Sequence, residues 1–95
     1  MAAYVVAEVE ITEPKTFQEY AKGVPGTIAA YGGKYLVRGG ATEVKEGNWS
    51  PKRLVILEFA SMNQARNWYG SPEYKPLLEL RLKSATTKVF FVEGL

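Results

Sequence analysis

The chain has 95 residues, 46% of them apolar and 23% charged, which is enough for one globular domain and too apolar for a disordered one. With no cysteine and no histidine, it can form neither a disulfide framework nor a thiolate or imidazole metal site, and it lacks the commonest general base. Twelve basic and ten acidic residues leave a net charge of +2, and the charges are interspersed, so nothing in them draws the chain to nucleic acid or an anionic membrane.

Residues Ala3 to Ile11 alternate, with Val5, Ala7, Val9 and Ile11 on one face and Tyr4, Val6, Glu8 and Glu10 on the other, the pattern of a strand. Thr12-Glu13-Pro14 reads as a helix start with a capping candidate and a first-turn proline. Phe17, Tyr20, Ala21, Val24, Ile28 and Tyr31 follow as one apolar stripe. Pro25-Gly26 interrupts that stripe and predicts a kink or break near Val24. Gly32-Gly33 ends the helix. Lys34 to Arg38 forms a second strand that meets Gly39-Gly40, with Thr42 to Lys45 as a candidate continuation, before a turn at Glu46 to Pro51. Lys52 to Phe59 is a third, more apolar strand. Ser61-Met62-Asn63-Gln64 is a capping-box pattern that opens a short helix to about Tyr69. Ser71-Pro72 restarts a helix carrying Tyr74, Leu77, Leu78 and Leu82, made irregular by Pro76, and Thr86 to Glu93 is the last strand. Residues 1–95 thus form a single α+β domain in the ferredoxin-like order β-α-β-β-α-β, with a four-stranded antiparallel sheet covered on one face by helices. The first and third strands are expected to be parallel neighbours at its centre.

A chain this short buries only about 60–65% of its unfolded surface. The helix-covered face of the central strands carries Val5, Ala7, Val9, Val55, Leu57 and Phe59, all apolar. The other face should be polar if water covers it, yet it carries Tyr4, Val6, Leu54 and Ile56 beside Glu8 and Glu58. Such a patch is covered either by a loop or by a second copy of the chain, and it predicts a homodimer formed through the open face. The longest apolar runs fall well short of a membrane span, and Met1 to Tyr4 has no basic leader. A cytoplasmic protein without a membrane partner is the expectation.

Four segments carry a family resemblance. They are Tyr4-Val5-Val6-Ala7-Glu8-Val9-Glu10-Ile11, Ala30-Tyr31-Gly32-Gly33-Lys34-Tyr35-Leu36-Val37-Arg38-Gly39-Gly40, Leu57-Glu58-Phe59, and Ala65-Arg66-Asn67-Trp68-Tyr69-Gly70-Ser71-Pro72-Glu73-Tyr74. Together they resemble the domain-of-unknown-function family numbered 1330, over nearly the whole chain. The resemblance implies the dimeric α+β barrel superfamily, in which two ferredoxin-like sheets pack face to face. That superfamily includes cofactor-free monooxygenases, lactone isomerases, haem-dependent chlorite-degrading enzymes and stress-induced proteins, and the close family brings no activity to carry over.

Three groups of residues are candidates for a site. Arg38 with Glu58 and Glu8 forms the first: a guanidinium flanked by carboxylates can clamp a substrate anion while a glutamate moves a proton. The same trio also suits an ion pair that sets dimer register. A three-residue turn at Gly47-Asn48-Trp49 would place Arg38 opposite Glu58, whereas a two-residue turn would send it to the other face. The aromatics Tyr20, Tyr31, Trp49, Trp68, Tyr69 and Tyr74 form the second group, able to line a pocket for a flat small molecule or simply to pack the core. Arg81 with Tyr74 and Ser71 is the third, and an arginine at a helix end is ordinarily solvated or capping a carbonyl. No phosphate loop is present, and the third strand offers aliphatics where an RNA-recognition domain needs stacking rings, so no nucleic-acid partner is expected. No metal and no cofactor are expected. The chain therefore reads either as a protein that binds or converts a small organic acid, lactone or aromatic compound, or as a non-catalytic dimeric module.

Overall fold

Alternation sends Val5 and Val9 into the core, and Ala3–Ile11 forms strand β1 of a computed structural model that describes residues 1–95. Helix α1 spans Pro14–Ala30. Its first turn is tied down by backbone rather than by Thr12: the Thr12 and Glu13 N–H groups donate to the Ser84 carbonyl at 2.8 and 3.0 Å, and Glu13 occupies the cap without a side-chain bond. Of the kink or break expected near Val24, the break does not occur: α1 continues through Pro25 as one helix. Phe17 lies before the proline and Ile28 after it, with Val24 beside it, and all three are buried. Burial of one continuous stripe on the sheet holds the two halves together despite the lost backbone bond. Gly32, at φ +75°, takes the left-handed turn out of the helix.

Strand β2 is Lys34–Arg38 and β3 is Arg53–Phe59. Residues 42–45 form no strand, so the whole stretch from Gly39 to Lys52 is irregular. Helix α2, Met62–Tyr69, is capped by Ser61, whose Oγ accepts from the Gln64 N–H. The reciprocal half of the box is spent elsewhere, because Gln64 Nε2 donates to the Tyr31 carbonyl at 2.8 Å and so ties α2 to the end of α1. Ser71 bridges the two C-terminal helices: its Oγ donates to the Trp68 carbonyl and accepts from the Tyr74 N–H. Helix α3 is Lys75–Ser84 and leads directly into β4, Ala85–Glu93. No helix is long and apolar enough to cross a membrane.

The sheet order is β2-β3-β1-β4, the ferredoxin-like arrangement, and every neighbouring pair is antiparallel. The expectation of parallel β1 and β3 is therefore corrected. The crossover through α1 lays β2 parallel to β1 but one place away, and β3 reverses into the gap between them. Odd-numbered residues of β1, β3 and β4 face the helices. Val5, Val24, Ile28, Leu57, Phe59, Ala65, Trp68 and Tyr74 form the contiguous core there.

The even-numbered residues face away from the helices. Val37, Ile56, Val6 and Phe90 make one apolar row across all four strands. Tyr4 and Val92 pair beside it. Phe90 is 58% exposed and Val92 43%, so the last strand extends the apolar patch that the first and third strands predict.

Candidate functional site

Between the helices and the sheet lies a cavity of about 180 Å³. Its walls are apolar side chains of β1, β3 and α1, including Val9, Val55, Leu57 and Val24. Its polar lining is three arginines, Arg38, Arg53 and Arg81, with the tyrosines Tyr20, Tyr35, Tyr69 and Tyr74. No carboxylate lines it. The only ion pairs in the chain join lysines to glutamates, so all three guanidinium charges lack an acidic partner.

A bulge brings Arg38 to the cavity. Lys34 pairs with Glu58 and Tyr35 with Leu57, but Val37 then pairs with Ile56 and Arg38 with Val55. Leu36 is the inserted residue and stands 48% exposed. In a regular ladder Arg38 would lie opposite Leu54, on the open face; one extra residue reverses its side. Neither hairpin turn weighed from the sequence is formed. On the helix side Arg38 lies over the Tyr35 ring, with Cζ 4.7 Å from the centroid. Burial pushes the Tyr35 hydroxyl above its ordinary pKa, and the neighbouring guanidinium opposes that shift.

Arg53 stands two residues along β3 from the partner of Arg38, a diagonal separation of roughly 7–8 Å between backbones. Its guanidinium packs on Gly39, where an added Cβ would come within 2.8 Å of Cζ. Its buried Nε has no hydrogen-bond partner. The two guanidiniums carry like charge on neighbouring strands, and an anion between them would turn that repulsion into attraction.

Arg81 occupies the other end. It is 4% exposed, against the expectation of a solvated or capping side chain. Hydroxyls surround it: Nε donates to Tyr74 Oη at 3.3 Å, Nη2 to Tyr69 Oη at 3.3 Å, and Nη1 to Thr87 Oγ1. Tyr74, 1% exposed, also shares a 2.9 Å bond with Tyr20 Oη. Burial, reinforced by Tyr74, pushes the Tyr20 hydroxyl far above its ordinary value of 10.0, so Tyr20 stays protonated. Thr87 projects from β4 on the row of Val9 and Arg53, which links Arg81 to the same level of the sheet.

The other expected residues divide by face. Tyr20, Trp68, Tyr69 and Tyr74 line the cavity with Arg38. Trp68 is fixed there by an Nε1 bond to Thr27 Oγ1 at 3.0 Å. Tyr31 does not line it; its hydroxyl donates to Glu73 at the surface. Trp49 and both glutamates lie away from it. Glu8 accepts from Trp49 Nε1 at 3.1 Å and from the Lys52 N–H at 3.2 Å, and these two bonds lower its pKa. Glu58 pairs with Lys34 at 3.3 Å. The grouping of Arg38 with Glu8 and Glu58 is thus corrected. The glutamates share the open face, but Glu58 pairs with Tyr4 and Glu8 with Leu54, four positions or about 13 Å apart along β1. No cluster of three or more acidic side chains gathers anywhere to hold a metal ion.

Arg53 and Tyr35 were not singled out from the sequence. A parity signal was available for Arg53, which opens the helix-facing series that continues Val55, Leu57 and Phe59. A charge heading an apolar face marks a polar group aimed at a core.

A family model described as a domain of unknown function (DUF1330) matches residues 2–95. No curated protein matches the chain. Among solved structures, a protein of unknown function from Rhodopseudomonas palustris, RPA0582, superposes with a TM-score of 0.76 at 13% identity, covering 99% of this chain and 82% of that one. A dimeric ferredoxin-like protein of unknown function from Jannaschia sp. has a TM-score of 0.73 at 11% identity, over 99% of this chain and 100% of that one. The cofactor-independent oxygenase SnoaB from Streptomyces nogalater has a TM-score of 0.70 at 13% identity, over 99% and 93%. At these identities the likeness is one of fold.

Proposed function

Since the chain belongs to the domain-of-unknown-function family 1330, whose name assigns no activity, we propose a function from the cavity itself: it binds a small organic anion between helices and sheet. The observation that carries this is the cavity's charge. Three guanidiniums and four tyrosines line it, with no carboxylate among them. Arg38, exposed at the mouth, takes the anion together with Arg53, whose orphaned Nε gains an acceptor. Charge-assisted bonds of this kind are stronger than neutral ones, and an apolar wall favours a ligand with a hydrophobic body. Any conversion of the ligand would draw its proton from a cavity tyrosine, because Glu8 and Glu58 lie across the sheet.

We further propose that the protein is a homodimer joined through the open face, which the exposed Phe90 and Val92 support; the Jannaschia neighbour is described as dimeric. Glu8 and Glu58, with Trp49 and Lys34 as their partners, then flank the apolar row and set its register. A non-catalytic dimer would keep this interface without needing an arginine-lined cavity.

The test is calorimetric titration of benzoate into the wild type and Arg38→Ala. Saturable binding should weaken roughly tenfold or more in the variant, as expected for loss of a hydrogen bond to a charged group. Equal affinity for both proteins would remove Arg38 from the site, and no saturable binding below roughly 10 mM would sink the anion reading.

A further inference from the structure

We infer that the cavity reads its ligand at two ends, and that the ligand is a single-ring aromatic carboxylate bearing a hydrogen-bond-accepting oxygen opposite the carboxylate. The inference rests on the anion reading above and adds the shape and second functional group of the ligand.

Size limits the body. The cavity measures about 180 Å³, and an apolar cavity of about 150 Å³ accommodates one benzene molecule. One ring fits, with a substituent projecting to the open mouth; a fused polycycle does not. The middle of the cavity presents Val9, Val55, Leu57 and Trp68, which offer contact area and no polar group except the tethered indole N–H.

The two ends differ in chemistry. At the mouth, Arg38 and Arg53 come from β2 and β3 and present charge to an anion. At the inner end, Arg81 reaches Thr87 on β4. Arg38 and Thr87 lie on the two edge strands, about 14 Å apart across the sheet, and Arg53, on β3, stands about 10 Å from Thr87 in the same row, so the ends are opposed rather than adjacent. A benzene ring with substituents on opposite carbons spans such a site; one with neighbouring substituents reaches only one end.

The inner end is a donor. Arg81 Nε can only donate, so Tyr74 Oη accepts from it. Tyr74 and Tyr20 share one bond at 2.9 Å in which either hydroxyl can donate, so one of their two protons stays free. A hydroxyl that accepts from a cation is a stronger donor in turn. Both tyrosines line the cavity, and with Tyr74 as the stronger donor of the pair the free proton is that of Tyr20. Burial keeps it un-ionised, so the inner end offers O–H and requires an acceptor oxygen. Arg81 is here a positioning residue: its contacts go to the chain's own hydroxyls, and it acts through Tyr74 and Tyr20.

The experiment compares 4-formylbenzoate with 4-methylbenzoate, close in size but differing in the acceptor, by calorimetric titration. In the wild type the formyl compound should bind roughly tenfold tighter, about 1.4 kcal/mol, and in Tyr20→Phe that ratio should fall below about twofold. 2-Formylbenzoate, with its groups adjacent, should bind the wild type no better than benzoate. This last comparison needs no variant, so it holds even if Tyr20→Phe fails to fold. Equal binding of the two para compounds to the wild type would overturn the two-ended reading while benzoate binding kept the anion site intact. Hexanoate binding tighter than benzoate would overturn the single-ring body. Failure of every carboxylate would overturn both readings.

Discussion

Replacing Phe90 with glutamate should dissociate the proposed homodimer. Phe90 is 58% exposed and stands in the row with Val6, Ile56 and Val37. An aromatic side chain carries roughly 150–250 Å² of surface, so about 100 Å² of this ring faces water in the isolated subunit. Covering it is worth about 2.5 kcal/mol at 25 cal/mol per Å². A two-fold interface repeats each contact, so the pair contributes about 5 kcal/mol, or three to four decades in the dissociation constant. Glutamate adds the cost of burying a carboxylate next to aliphatics, and the only cation nearby on that strand, Lys88, lies opposite Glu8. Sedimentation velocity over a dilution series reads the constant directly, while circular dichroism confirms that the helix-facing core, which Phe90 does not touch, stays folded. A monomeric wild type at high protein concentration, or a variant whose dimer constant moves less than tenfold, would refute the open face as the interface.

Two further outcomes follow from packing and ionisation. Gly33→Ala should destabilise the fold by about 1–3 kcal/mol, because a Cβ there would stand 2.7 Å from Cζ of Phe59 and 2.9 Å from Cγ2 of Ile28; an unchanged urea midpoint would show that the Phe59 ring yields freely. Stability should also fall at alkaline pH. The folded-state pKa of Tyr20 is raised by burial above its ordinary 10.0, so its contribution is complete below that value and is lost as pH climbs towards the folded pKa, where the unfolded chain alone ionises. Melting curves from pH 8 to 11 should decline more steeply in the wild type than in Tyr20→Phe, and parallel curves would mean that Tyr20 ionises as if solvated.

Much of the fold was legible because each β-strand states its period locally. Alternation over Ala3–Ile11 fixed that strand to the residue, and the two-face count along β1 and β3 separated the helix side from the open side. Ser61 announced α2 through its cap. Pro25 does not break α1, because the burial of Phe17, Val24 and Ile28 on both sides of it outweighs the local cost that its own sequence predicts. Strand direction misled for another reason: the order of elements is a property of the chain, but direction follows from which strand fills the gap left by a crossover.

The candidate site was legible as a set of residue types and not as a place. Sequence by itself determined that any chemistry here would run on arginine, tyrosine and carboxylate, and that aromatic side chains would accompany the helices. Only the tertiary structure decided which of these meet. One inserted residue, Leu36, turned Arg38 from the open face to the cavity, and no local pattern distinguishes a strand with a bulge from one without. Arg81 looks solvated when only its helix is considered; it is buried because β4 brings Thr87 beneath it while Tyr69 and Tyr74 close over it. Burial and register are sums over distant segments, so a guanidinium's partners are set where strands and helices meet rather than where its own neighbours in the chain lie.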